Sequence, residues 1–210
     1  MYMRTTTMKK YFLLAIFAFF ATSTAMAQST FNGLYVGAAG GYSSGKTHFS
    51  DGVTNSVTSA NFDSPVWDID AGLGHSILHF FYLGLGAKYQ GFTDAKVSKN
   101  DTKVDVDNAA FIVLTPGILI TQRTLLYANL GLGQVNANYS QDSLIKNATS
   151  IDGPHESWSA IYGIGLKRGL NDYISLGAEF NHVDAGSAGL SNNISALRYN
   201  EGLINLTFYL

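Results

Sequence analysis

Eight stretches of this chain alternate apolar and polar side chains with a period of two, which marks strands with two unlike faces. They cover residues 34–43, 66–76, 82–92, 105–119, 125–137, 157–168, 173–183 and 202–210. In the second, Trp67, Ile69, Ala71 and Leu73 alternate with Asp68, Asp70, Gly72 and Gly74. In the third, Leu83, Leu85, Ala87 and Tyr89 alternate with Gly84, Gly86, Lys88 and Gln90. The fourth is apolar on both faces over 109–114, so its parity is open. The polar parity as a whole carries Gly, Asn, Asp, Lys and Glu.

The connections alternate in length. Residues 77–81, 120–124 and 169–172 are short, whereas 44–64, 93–104, 138–156 and 184–197 are long and rich in Ser, Asn, Asp and Gly. A tilted strand needs about ten residues to cross a bilayer. Such strands can turn an apolar face to lipid and a polar one to a narrow lumen. The sheet must then close, because an open edge in lipid leaves backbone groups unpaired. The pattern predicts an all-β fold, an eight-stranded antiparallel transmembrane β-barrel. Short turns would be periplasmic and long loops external.

The last stretch bears on closure. Ile204, Leu206, Phe208 and Leu210 share one face, and the apolar face reaches the final residue. A free end normally frays, so this one must be tied down, as pairing with the first strand would do. Gly202, Ile204, Leu206 and Phe208 follow the spacing of the closing strand of bacterial outer-membrane β-barrels, although that family ends in an aromatic residue and this chain in Leu210. The chain resembles the small members of that family, similar to the eight-stranded transmembrane domain of outer membrane protein A. The resemblance implies a cell outer membrane location, export through a cleaved signal peptide, outer-membrane lipid around the wall, and contact between the C-terminal strand and the barrel-assembly machinery.

The N-terminus reads as an address. Lys9 and Lys10 precede an apolar run over 11–21, and Ala25-Met26-Ala27 is a small-x-small cleavage site. Residues 1–27 are therefore expected to be removed, with Met8 as a second candidate start, leaving one domain over 28–210. There is no Cys, hence neither a disulfide framework nor a lipid-bearing thiol. Charged residues make up only 13% of the chain, with 13 basic against 15 acidic, which excludes the basic face a nucleic-acid partner needs. With nothing after the closing strand, no peptidoglycan-binding domain is expected.

Three motifs invite chemistry. Gly40-Gly41-Tyr42-Ser43-Ser44-Gly45-Lys46-Thr47 has the letters of a phosphate loop, but that loop must open a helix and 48–60 has no helical period. Gly pairs at 72/74, 84/86, 131/133 and 163/165 recur within strands, where they read as inward positions kept small for a narrow barrel. His182 follows Glu179, with Ser187 and Ser191 in the next loop. Outer-membrane lipid A deacylases carry a His-x-Ser-Asn motif on such a barrel, yet two residues after His182 stands Asp184. His182 is expected to be a wall residue, and His75 and His79 to be structural. No catalytic, cofactor-binding or metal-ligating set is predicted.

Two sets of structural sites are predicted. A turn centred near His79 pairs positions 70 with 88 and 68 with 90, all of polar parity. This predicts a lumen charge pair between Asp70 and Lys88, with Asp68 and Glu179 within reach. Tyr42, Trp67, Tyr89 and Trp158 are expected as an external aromatic girdle, and Phe80, Phe81 and Phe208 at the inner rim. Function is expected to be a structural or surface-interaction role, through an extracellular ligand of the loops, for a non-enzymatic monomer. A narrow pore or hydrophobic-ligand conduit past Phe111, Val135, Ile161 and Leu203 is the alternative, and a lipid-modifying enzyme the third reading.

Overall fold

The computed structural model describes residues 29–50, 57–77, 80–93, 95–99, 102–141, 153–185 and 194–210. The expected leader, His79, Asn147, Ser187, Ser191 and Asn192 lie outside the described residues. Among the described residues nine strands are formed: β1 (Gly33–Ser50), β2 (Val57–Ile77), β3 (Phe81–Phe92), β4 (Lys96–Lys99), β5 (Thr102–Thr121), β6 (Thr124–Gln141), β7 (Gly153–Gly169), β8 (Ile174–Ala185) and β9 (Ile194–Tyr209). Each of the eight predicted stretches lies within a strand, apart from a terminal residue in two of them. The ninth strand, β4, is a four-residue ribbon that among the described residues pairs with β5 alone.

All pairings are antiparallel. The order runs β3-β2-β1-β9-β8-β7-β6-β5, and β3 pairs β5 to close the ring. The C-terminus is tied as its pattern requires. Phe208 lies opposite Val36, and the Leu210 amide donates to the Leu34 carbonyl at 2.8 Å.

Following one rung around the wall measures the stagger. Leu34 faces Leu73, then Leu85, Leu114, Leu130, Tyr162, His182 and Asn200, and the rung returns to β1 at Ser44, ten residues on. Ten residue rises across eight strand spacings tilt the strands by about 40°.

The strands outrun the predicted stretches. β1 and β2 stay paired up to Ser50 and Val57, β6 and β7 to Tyr139 and Gly153, and β8 and β9 to Ala185 and Leu197. The loops expected over 44–64, 138–156 and 184–197 thus begin and end as ribbon, and 93–104 holds β4. Backbone pairing needs no apolar side chains once a hairpin is nucleated, so the ribbons continue where the apolar alternation stops.

The open parity of the fourth stretch has two causes. Val106 and Ala109 both face inward, because β5 carries an extra residue between Val106 and Asn108. Such a bulge shifts the alternation by one. Beyond it Phe111 and Val113 are buried inside while Ile112 and Leu114 stand outside, each apolar for a different neighbour.

The lumen is filled in layers. At the short-turn end, Phe31 from the segment before β1 packs edge-on against Tyr82 and Tyr209, with Tyr35, Leu125 and Tyr127 beside them. Toward the long-loop end a larger apolar layer includes Phe62, Phe111, Val135, Ile161, Leu197 and Tyr199. Phe111, Val135 and Ile161, expected as conduit positions, belong to this packed layer, and Leu203 is also buried.

Candidate functional site: a charged belt inside the barrel

Between the two apolar layers lies a belt of charge. The Lys88 ammonium on β3 is 3.1 Å from Asp68 Oδ2 on β2 and donates across the lumen to Glu179 Oε1 on β8. Glu179 Oε2 accepts from the Tyr127 hydroxyl at 2.9 Å, Asn129 Nδ2 at 3.2 Å and Asn205 Nδ2 at 3.4 Å. Asn181 Nδ2 donates to Glu179 Oε1 at 3.0 Å and to Glu201 Oε1 at 2.9 Å. Glu201 Oε1 also accepts from Gln90 Nε2 at 2.8 Å. Below the belt, Lys167 Nζ sits 5.7 and 5.4 Å from the Tyr35 and Tyr127 ring centres. Polar groups this deep persist only when paired and hydrogen-bonded, and Lys88 and Glu179 meet that condition.

The predicted register is the observed one: Asp70 faces Lys88, and Asp68 faces Gln90. Of the predicted charge partners of Lys88, Asp68 and Glu179 are observed and Asp70 is not. Among the described residues Lys88 meets Asp68 and Glu179 within 4 Å, and Asp70 has no ion pair. The long Lys88 stem reaches the diagonal neighbour on the next strand, a contact sheet geometry permits. The Asp70 carboxylate instead overlies Gly37, its opposite number on β1, where any Cβ would collide with it. Glu201, Gln90, Asn129, Asn181 and Asn205 escaped the sequence reading. Their parity was legible, but which of eight strands face each other across the lumen was not.

The aromatic set stands outside. Tyr42, Trp67, Tyr89, Trp158 and Phe208 are all exposed on the outward parity, and the Trp67 and Tyr89 rings lie 6.0 Å apart. Gly91 leaves the space that the Trp67 ring covers. Phe80 is exposed and Phe81 half-buried at the short-turn end.

The catalytic motifs dissolve in the strands. The phosphate-loop letters lie within β1, in extended backbone. Glu179 and His182 are three residues apart on β8, so they fall on opposite faces of the wall. Glu179 is buried in the lumen, while the His182 Nδ1 is 2.7 Å from Asn200 Oδ1 and its ring lies 4.9 Å from that of Tyr162. Of the cross-strand partners of His182, Asn200 carries no nucleophile and Tyr162 presents a phenol, not the Ser or Cys of the acyl-transfer arrangement.

A closed lipid-facing barrel with this order matches a known family. The profile described as "Outer membrane protein beta-barrel domain" covers residues 12–208. The chain belongs to that family. No curated protein matches its sequence. Among solved structures, Neisserial surface protein A aligns with a TM-score of 0.55 at 14% identity, over 85% of this chain and 98% of its own. The Escherichia coli outer membrane protease OmpT aligns at 0.50 and 8% identity, over 90% and 100%. The N-terminal β-barrel domain of Pseudomonas aeruginosa OprF aligns at 0.40 and 13%, over 85% and 98%. At these identities the likeness is one of fold. Family membership places this outer-membrane barrel in the outer membrane. Because the fold also houses a protease, the barrel by itself does not decide whether a member is an enzyme.

Proposed function

We propose that this outer-membrane barrel is a non-enzymatic, non-conducting monomer that holds polar β-ribbons at the cell surface for a surface-interaction role. The observation that carries the reading is the length of the strands. β1 continues eight residues past Tyr42, to Ser50, still paired with β2. At the tilt above, eight residues rise roughly 20 Å beyond the aromatic level. A wall that served only to span the membrane would stop near that level. The C-terminal strand, with Ile204, Leu206 and Phe208 outward, is the segment the barrel-assembly machinery would read, and the outward aromatics would sit at the lipid interfaces.

The lumen supports this over a conduit. The cavity within the charged belt has a volume of about 30 Å³, room for about one water. In planar bilayers the purified protein is expected to give no discrete conductance steps; stepwise currents that scale with protein would overturn the non-conducting reading. Epitope tags inserted within 51–56 or 142–152 should be reached by antibody on intact cells, and a tag at 170–172 only after permeabilisation. The reverse pattern would invert the topology. The function itself is tested by replacing 47–60 with a two-residue turn. Heat-modifiable mobility should persist, while adherence of expressing cells to matrix glycoproteins and to one another falls to the level of cells lacking the protein. Undiminished adherence would refute the surface-interaction role for this ribbon.

A further inference from the structure

From Gly37 to Ser43 the inward positions of β1 are small: Gly37, Ala39, Gly41 and Ser43. They form a groove up the inner wall between β2 and β9. Among the described residues, most buried side-chain oxygens without a hydrogen-bond partner flank this groove. Asp68 Oδ1 lies on one side, Asn205 Oδ1, Thr207 Oγ1 and Glu201 Oε2 on the other, and Ser43 Oγ in the floor. The register explains the grouping, since Ala39 faces Asp68 on β2 and Asn205 on β9. Both side chains line the roughly 30 Å³ cavity, at 2% and 3% exposure.

Charge adds a second argument. The belt and its margins hold four carboxylates, Asp68, Asp70, Glu179 and Glu201, against two ammonium groups, Lys88 and Lys167. Lys88 is already committed to Asp68 Oδ2 and Glu179. A desolvated negative excess is costly unless something positive joins it. The open acceptors are all oxygens, which suit hard cations. Among the described residues no three His, Cys, Asp or Glu side chains converge as metal ligands, so the geometry is not one of divalent chelation. One carboxylate oxygen with neutral oxygens around a water-sized space fits a single charge.

We propose that the cavity lined by Asp68 and Asn205 binds one small monovalent cation, of sodium size, through Asp68 Oδ1 and Asn205 Oδ1. The ion offsets the negative excess of the belt and ties β2 to β9 across β1. The test is refolding and thermal unfolding of the full barrel in detergent at constant ionic strength, exchanging choline chloride for sodium chloride. The wild type should gain several degrees in Tm, saturating with sodium concentration. Asp68→Asn, which removes the charged ligand, and Asn205→Leu, which removes the neutral one without touching a charge, should each lose that gain. Asp172→Asn, at an exposed turn, should keep it. Equal Tm in sodium and choline for the wild type would overturn the proposal and leave ordered water as the occupant. A sodium gain that survives in Asn205→Leu would also overturn it, by placing the ion elsewhere.

Discussion

Lys88→Met should destabilise the folded barrel by more than about 2 kcal/mol, toward the roughly 3–5 kcal/mol typical of breaking a buried pair. The substitution keeps the length of the stem and removes only the charge. It leaves Asp68 and Glu179 without the cation between them, in a layer closed above and below by apolar side chains. An exposed pair such as Arg123–Asp172, 3.2 Å apart at the turn end, should be worth only about 0–1 kcal/mol. The measurement is a urea titration of folding into lipid vesicles. The partner is identified by double-mutant cycles. Lys88→Met with Glu179→Gln should be strongly non-additive, and Lys88→Met with Asp70→Asn close to additive, because Asp70 makes no ion pair among the described residues. Coupling near zero to both Glu179 and Asp68 would mean a wet, loosely filled lumen and would revive the conduit.

Leu130→Arg is expected to cost about 2–4 kcal/mol in the same titration, the penalty for a guanidinium at the middle of a barrel's lipid face. Leu130 stands outward on β6, in the rung that also holds Leu85 and Leu114. Leu130→Ala should cost far less, since an alanine there still meets lipid. Gly86→Ala changes the other face by a single methyl group. Its Cβ would sit 2.8 Å from the Ala71 carbonyl oxygen and closer still to the Tyr35 hydroxyl, so it should destabilise by crowding. Equal tolerance of arginine and alanine at position 130 would mean that this face is not in lipid.

The sequence by itself determined the strand set, the inward and outward parity of seven strands and the β2–β3 register. Each is local: period-two alternation is written residue by residue, and a short turn fixes which residues face each other, as with Asp70 and Lys88. Closure was legible as well, because apolar alternation running to Leu210 demands a partner strand. What tertiary structure alone decided is how the ring meets across its own lumen. The ten-residue stagger brings Glu201 of β9 to Gln90 of β3, and it makes Glu179 of β8, expected only within reach of Lys88, its direct partner. No spacing along the chain encodes a contact across 91 or 111 residues. The same limit hid the extent of the ribbons. Backbone pairing carries β1 on to Ser50 and lets β2 begin at Val57, where the side chains no longer alternate and only the hydrogen-bonded ladder records the strand. Parity is a property of one strand and can be read from it, whereas the partner of a buried charge depends on the tilt and stagger of all eight.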